Sequence, residues 1–438
     1  MQKKIIHLLT AFLSCVVFAH TGWASSSLPF NFNFKKEAGI LTRPEAPNTL
    51  SSDRYPILVH YSQASSDDYA RSVLNYLETA WEREFITMGF RVPLADHGEG
   101  GDDRFDLYIS PDLDPGVGGY TGFSGFENET PLADAYGYIV IATNLNPKLI
   151  RGVIAHELFH ASQMAYDWWE SLSFAEGSSV WIVQHIFPDE DIFWRYYKFF
   201  NAEPHRSLDF VSLKSPYQYG TGIFYQFLDE HFGQGKFGLA AGQFIKLIWE
   251  QTGQNTFENE PNFLQTINKL LGGRNFNFEA LRFAWSEFAV WRLLVGKLSD
   301  GRHLAGSEKW ENSEPVVDQT VQLSDTAVEG VSQKPNEPLS HAYIAVDLPE
   351  NCSSNLRVRA SGAEGFQYSW RLISYRQKSV KIGDLVQSID DHQIEINQQV
   401  DSADRTFLIV SVLPFDGYDP ASSDKKSSLF RFEFQLTE

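Results

Sequence analysis

Two imidazoles and a carboxylate fall together at His156-Glu157-Leu158-Phe159-His160. Side chains four apart stand over one another on a helix, so His156 and His160 can each offer a ring nitrogen to one metal ion. Glu157 lies beside them, where a carboxylate can take a proton from a water. Zinc is the ion this pattern suits. A catalytic zinc takes three protein ligands and leaves a fourth position open, so one ligand is still missing. The metzincin arrangement would need glycine at 163 and histidine at 166; Gln163 and Tyr166 exclude it. Glu176 follows the apolar pair Phe174-Ala175 on what reads as a second helix, antiparallel to the first, and would complete a His-His-Glu set. Glu170 and Asp167 are the alternatives, both near the turn after the first helix, where a carboxylate serves equally as a cap or a solvated charge.

The element that must carry the motif is residues 147–161. Pro147 suits a first helical turn and no later proline interrupts the run. On a 3.6-residue period Ile150, Ile154, Leu158, Ala161 and Ala165 form an apolar stripe, with His156 and His160 off its centre. This predicts a helix packed on one side and facing a cleft on the other.

From His156 to Trp181 the chain resembles the gluzincin branch of zinc metallopeptidases, and more closely the secreted bacterial peptidase MA-like proteins. The residues that carry the likeness are the HExxH motif, the tryptophans at 168 and 169, and the Glu176-Gly177 pair. It extends upstream through His60-Tyr61, the strand at residues 106–109 and a Gly116-Val117-Gly118-Gly119 turn, and downstream through residues 219–228, spanning about residues 55–300. The resemblance implies a zincin-like domain that hydrolyses peptide bonds, with His156, His160 and Glu176 as zinc ligands and Glu157 as general base. The chain has Ser-Phe-Ala before Glu176 where the family commonly has a proline-tryptophan lead-in. By the same likeness the strand at residues 136–142 is the sheet edge above the cleft, free to pair with an extended peptide; ordinary core pairing is the alternative. A tyrosine or histidine on the second half of such folds donates to the oxyanion. Tyr219, beside a glycine, is the candidate, with Tyr217 and His231 behind it.

The N-terminus has the layout of an export signal. Met1-Gln2-Lys3-Lys4 is a basic start, residues 5–19 are an apolar core, and Gly22-Trp23-Ala24 is a small-residue cleavage site. His7 and His20 break the apolar run and it is too short to span a bilayer, which argues against an uncleaved anchor; the flanks of Cys15 fit a lipoprotein site poorly. An exported, periplasmic or extracellular protein is expected. Cleavage would leave Cys352 as the sole cysteine of the two, so no internal disulfide and no thiolate metal cluster could form. The chain has 36 basic and 56 acidic residues, a net charge of -20, which repels nucleic acid and anionic membranes. No later segment reads as membrane-spanning, and a peptide or protein substrate is the expected partner.

These readings give an α+β fold: signal 1–24, an extended arm 25–52, a zincin-like domain 53–300 with a mostly helical second half, a linker 301–338, and an all-β sandwich 339–438. The sandwich rests on short alternating stretches between Asn, Asp, Gly and Ser turns, and its partner is undefined. The glycine- and aspartate-rich residues 98–103 read as a solvated loop in preference to a calcium turn. Two other functions share these motifs: a non-catalytic surface or binding protein on a zincin scaffold, and a zinc hydrolase of a non-peptide amide or ester.

Overall fold

The computed structural model describes residues 42–437 and the backbone of residues 15–17. Within this span residues 114–115, 128–129, 131, 144, 190–192, 213, 254–260, 275–276, 403 and 421–425 are not described. Apart from the backbone of residues 15–17, the predicted signal peptide lies outside the described residues, as does most of the predicted arm. The chain divides into two compact units, Met1–Trp194 with Val211–Thr266, and Arg195–Phe210 with Ile267–Glu438. Among the described residues no helix is long and apolar enough to cross a membrane.

The first unit is built on one sheet. Its strands are β1 (Cys15–Val17), β2 (Asn48–Ser51), β3 (Ile57–Tyr61), β4 (Phe105–Ser110), β5 (Val117–Phe126) and β6 (Ala135–Ala142), in the spatial order β1-β5-β6-β4-β3-β2. The central strands β3, β4 and β6 run parallel, while β2 and β5 flank them antiparallel. A parallel pair needs a crossover. Helix α1 (Asp67–Trp81) supplies it between β3 and β4, capped by Ser66, whose hydroxyl accepts from the Tyr69 N–H, with Asp67 and Asp68 favourably placed in the first turn. Its buried Ala70, Val73, Leu74, Leu77, Ala80 and Trp81 keep the three-to-four spacing of a packed face. The chain then continues into a π-helical turn at Glu82–Thr87.

Helix α2 (Ile150–Met164) carries the HExxH motif across the sheet. Thr121, Ile139 and Leu107 stand side by side on β5, β6 and β4, and Thr121 touches Glu157 of α2, which fixes that face as the helix face. Tyr108, Tyr138 and Val140 occupy the opposite face. The sequence predicts α2 to be packed on one side only; instead every residue from 152 to 164 is buried. A helix buried all round has no solvent side, and its polar residues are paired inside.

The peptide-accepting edge predicted at residues 136–142 is corrected by the topology. The β6 strand is internal, paired with β4 on one side and β5 on the other. The strand on the outer flank of the site is β5, itself paired with β1. The first residues of β5 read as a turn because Gly118, Gly119, Gly122 and Gly125 dominate its sequence. Two of these glycines leave room for neighbours: a Cβ at 119 would meet Val140 O at 2.9 Å and Val153 Cγ1 at 3.0 Å, and one at 122 would strike the Tyr138 ring at 2.6 Å. The strand is glycine-rich because α2 and a tyrosine take the space.

Further helices of this unit follow in chain order. Among them are α3 (Leu172–Ile186), α4 (Tyr217–Gly220), α5 (Gly222–Phe227) and α6 (Gln243–Gln251).

The second unit is a two-sheet β structure whose longest helix among the described residues is α7 (Glu279–Leu293). Its strands are β7 (Gln319–Gln322), β8 (Val328–Val331), β9 (Ser340–Asp347), β10 (Ser353–Ser361), β11 (Gln367–Arg376), β12 (Ser379–Ile382), β13 (Val386–Ile389), β14 (Ile394–Asp401), β15 (Arg405–Leu413) and β16 (Arg431–Thr437). One sheet has the order β14-β10-β16-β8 and the other β12-β11-β15-β9-β7, with β13 beside β11. Val358, Tyr368, Trp370, Leu372, Val410, Phe432 and Phe434 share the core. The C-terminal region is therefore all-β, in two sheets. It begins earlier than the sequence indicates, because β7 and β8 lie inside the predicted linker, and Ala289 and Leu293 of α7 pack on Tyr343, Ile373, Phe407 and Ile409.

Candidate metal centre

Helices α2 and α3 bring the predicted ligands together. His156 Nε2 lies 3.1 Å from Glu176 Oε2, His160 Nε2 lies 3.5 Å from the same oxygen, and the two imidazole Nε2 atoms are 3.0 Å apart. Tetrahedral bonds of 2.0–2.1 Å to a zinc would separate its ligand atoms by about 3.3 Å. The three groups are buried and form the one set among the described residues whose ligand atoms converge in this way, so the cluster can hold a divalent metal ion. Its donors are two nitrogens and one oxygen, the set expected when no thiolate is at hand.

The Glu176-Gly177 pair has a packing logic. Glu176 turns toward α2, while a Cβ at 177 would overlap the Thr221 hydroxyl and meet the Tyr225 ring at 2.9 Å. Tyr225 anchors α5 back to α3 by donating to the carbonyl of Phe174 at 2.8 Å, and the hydroxyl of Thr221, between α4 and α5, lies 2.7 Å from Gln218 O and 3.1 Å from Ser173 O of α3. Glycine after the ligand thus lets the next layer close on α3.

Electrostatics follow from burial and proximity. Burial presses the His156 imidazole down to about 4, against the hydrogen bond to Glu176. Burial also presses on His160, but its hydrogen bond and charge attraction to Glu176 more than reverse this and leave it above the ordinary value. Glu176, which burial alone would raise, is held down to about 2 by hydrogen bonds to both imidazoles. Without metal, Glu176 is therefore a carboxylate beside a neutral His156 near neutral pH, and His160 is the imidazole that holds a proton more readily than usual.

Glu157 is fully buried next to this set, and Thr121 Oγ1 lies 2.8 Å from its Oε2 and 2.9 Å from its backbone carbonyl. One hydroxyl proton can serve only one of these acceptors at a time, so the carboxylate is pinned to β5 whenever it takes that proton. Tyr219 is buried and its ring stacks on His156 at 5.9 Å and 26°. Tyr217 is buried too, while His231 packs against Phe227 and Phe232.

The alternative carboxylates are spent elsewhere. Glu170 accepts from the backbone N–H groups of Ser171 at 2.6 Å and Phe263 at 2.8 Å, and Asp167 from that of Trp169 at 2.9 Å. In the loop at residues 98–103, Asp102 pairs with Arg104 at 2.6 Å. Sequence reasoning missed Thr121, Gln163, Ser178 and Ser179. Gln163 Oε1 lies 2.8 Å from His160 Nδ1, and its Nε2 lies within reach of Ala175 O, Ser178 Oγ and Ser179 Oγ on α3. Its position three residues after His160 on one helix edge is a signal the sequence does carry.

No family model matches this sequence, and no curated protein matches it. Solved structures match it weakly. Tripeptidyl peptidase 2 aligns with a TM-score of 0.21 at 11% identity, over 27% of this chain and 10% of that one, so this chain spans a tenth of its length. The pre-peptidase C-terminal domain of a collagenase from Bacillus anthracis gives 0.19 at 13%, over 28% of this chain and 99% of that one. A mitogen from Yersinia pseudotuberculosis gives 0.19 at 8%, over 26% and 89%. Likeness at this level carries no argument about this chain.

Proposed function

We propose that this protein is an exported zinc-dependent peptide hydrolase on a zincin-like fold. The observation that carries the reading is the convergence of His156, His160 and Glu176 at ligand spacing beside Glu157, whose carboxylate Thr121 engages. Export rests on the N-terminal sequence alone. Zinc held by these three residues would supply Lewis acidity for a carbonyl oxygen and bring the pKa of water from 15.7 to about 7. The rest falls to side chains. Glu157 is adjacent to the ligand set without belonging to it, as a general base must be, and takes the proton from the attacking water before passing it to the leaving amine. Tyr219, over the His156 ring, is the donor proposed for the oxyanion.

A second reading has its own support. His156, Glu157 and His160 are all 0% exposed, a state in which no polypeptide can reach them, and this favours a non-catalytic protein that keeps a zincin metal site. One experiment separates the two. Purified protein is assayed for zinc and for cleavage of a broad peptide library, alongside Glu157→Gln. Zinc close to one per chain, with cleavage abolished by Glu157→Gln and zinc retained, supports the hydrolase. Zinc without cleavage supports the binding protein, and no zinc overturns both.

A further inference from the structure

We infer that Gln163 is a positioning residue that locks His160 with its proton on Nδ1 and its Nε2 lone pair turned to the metal. The inference rests on the metal-site reading above and deepens it. Gln163 is fully buried on α2, between His160 and α3. Its amide orientation is dictated by its neighbours. Gln163 Nε2 sits 3.0 Å from Ala175 O, 2.9 Å from Ser178 Oγ and 3.1 Å from Ser179 Oγ. A backbone carbonyl can only accept, and Ser178 gives its own proton to the Phe174 carbonyl at 2.8 Å, so the amide must present N–H groups on this side. The Gln163 carbonyl oxygen is then the atom 2.8 Å from His160 Nδ1, and an oxygen of this kind can only accept. His160 Nδ1 therefore carries a hydrogen. Its Nε2, 3.0 Å from His156 Nε2 and 3.5 Å from Glu176 Oε2, is left to ligate.

The arrangement does more than choose a tautomer. Gln163 joins the helix that bears two ligands to the helix that bears the third, because its acceptors at 175, 178 and 179 bracket Glu176. Ring orientation and helix spacing are set by the same amide. Ser179 Oγ, 3.2 Å from His160 Nδ1, stands as a subsidiary contact. Partners of this kind, outside the ligand set, typically change metal affinity by about 10–100-fold when removed.

The test measures zinc affinity by competition with a chromophoric chelator at fixed pH, on the full chain. Gln163→Leu, which keeps the volume and loses both hydrogen-bonding ends, is expected to weaken zinc by about 10–100-fold. Gln163→Glu keeps the acceptor for His160 but sets a carboxylate against the Ala175 carbonyl. Metal-free Gln163→Glu is therefore expected to melt at lower temperature while its zinc affinity stays within about threefold of wild type, a separation that a purely structural glutamine would not produce. Ser178→Ala, which leaves the His160 contact intact, is also expected to stay within about threefold. In zinc-loaded wild type labelled with 15N-histidine, a slowly exchanging Nδ1–H resonance of His160 is expected, and Gln163→Leu should lose it. Wild-type zinc affinity in Gln163→Leu, or a loss in Gln163→Glu as large as in Gln163→Leu, overturns the inference. If Gln163→Leu does not fold, the wild-type spectrum decides, because absence of the Nδ1–H resonance of His160 in the zinc-loaded protein overturns the inference. Wild-type protein that takes up no zinc removes the metal centre itself, an outcome distinct from either of these.

Discussion

Glu176 faces both imidazoles, and its hydrogen bond and charge hold the His160 value above the ordinary one, which bears on how the proposed zinc would enter. A ligating imidazole must be neutral at the nitrogen it offers, so the proposed zinc would have to displace any proton that Glu176 holds on His160. Because the His160 value is raised, that proton is present below the raised value and absent above it, and zinc affinity should fall as pH falls. Zinc uptake is expected to release up to about one proton on the acid side, read by calorimetry in buffers of different ionisation enthalpy. Uptake with no proton release from neutral pH downward would remove this account of the cluster. A second prediction concerns Thr121. Thr121→Val removes the hydroxyl from Glu157 with little change of volume, and a hydrogen bond to a charged group contributes about 1.5–3 kcal/mol. Peptide hydrolysis should fall about 10–100-fold with zinc content unchanged, and Thr121→Ser should restore it. The ligands of the two helices were legible because helical spacing is local: His156 and His160 declare their common edge in the sequence, and Gln163, though missed, stands on that same edge three residues further on. Thr121 was not, because its meeting with Glu157 depends on which strand lies beside β6, and no short-range spacing encodes that.

The glycine-rich β5 strand shows why that neighbour was hard to read. Its sequence reflects what packs against it more than its own preference for extension, since Gly119 yields to α2 and Gly122 to Tyr138. Gly119→Ala should therefore cost about 1–3 kcal/mol, because the nearest obstacle is a backbone carbonyl that cannot rotate away. The added methyl would also meet Glu157 Cγ at 3.3 Å, so activity should drop by more than stability alone explains, which urea unfolding and peptide cleavage measured together would reveal. On the opposite face of the sheet, Arg43 closes a buried acidic cluster. Its guanidinium pairs with Asp96 at 2.7 Å and with Asp106, and lies 4.7 Å from the centre of the Tyr138 ring. His60 meets Asp106 from β3 at 2.7 Å. Burial, helped by Asp106 and opposed by Arg43, pushes the Asp96 carboxyl up to about 7. A carboxyl raised on folding favours the native state when neutral. Its contribution is complete below the unfolded value near 4 and is lost as pH rises through about 7. Asp96→Asn should flatten that dependence, so that the difference in urea stability from wild type grows in the variant's favour between pH 5 and pH 8. A constant difference across that interval would mean that Asp96 is ionised throughout.

Across the whole molecule, chain connectivity constrains what can fold alone. The chain leaves the first unit after Trp194, gives Arg195–Phe210 to the second, returns with Val211–Thr266, and then enters the second for good. That short excursion is bound by main-chain hydrogen bonds: Leu208 N–H to Leu339 O at 2.9 Å, Glu337 N–H to His205 O at 3.0 Å, His341 N–H to Pro204 O at 2.8 Å and Val316 N–H to Asn201 O at 2.9 Å. Buried side chains reinforce it, with the Tyr418 hydroxyl donating to Asp209 and the Arg292 guanidinium donating to Asn201 while lying over the Phe200 ring. The sequence shows residues 195–210 only as more aromatic chain within a helical stretch, because apolar content says that a segment is buried and not which core buries it. The strands at residues 342–346, 356–360 and 406–413 were legible from their alternation, so the β region looks self-contained from residue 339 onward. It is not. A fragment of residues 339–438 would lose α7 from the apolar face formed by Tyr343, Ile373, Phe407 and Ile409, lose β7 from the edge of β9 and β8 from the edge of β16, and leave the backbone of Leu339 and His341 without the strap that pairs with it. Exposed apolar surface and open strand edges of this kind promote association. The fragment is expected to bind a hydrophobic dye and to lack a cooperative urea transition, whereas the full chain, which keeps both the strap and α7, should unfold cooperatively and leave the dye unbound. A sharp, dye-silent transition from residues 339–438 alone would show that the strap and the helix are accessories to a core that is complete without them.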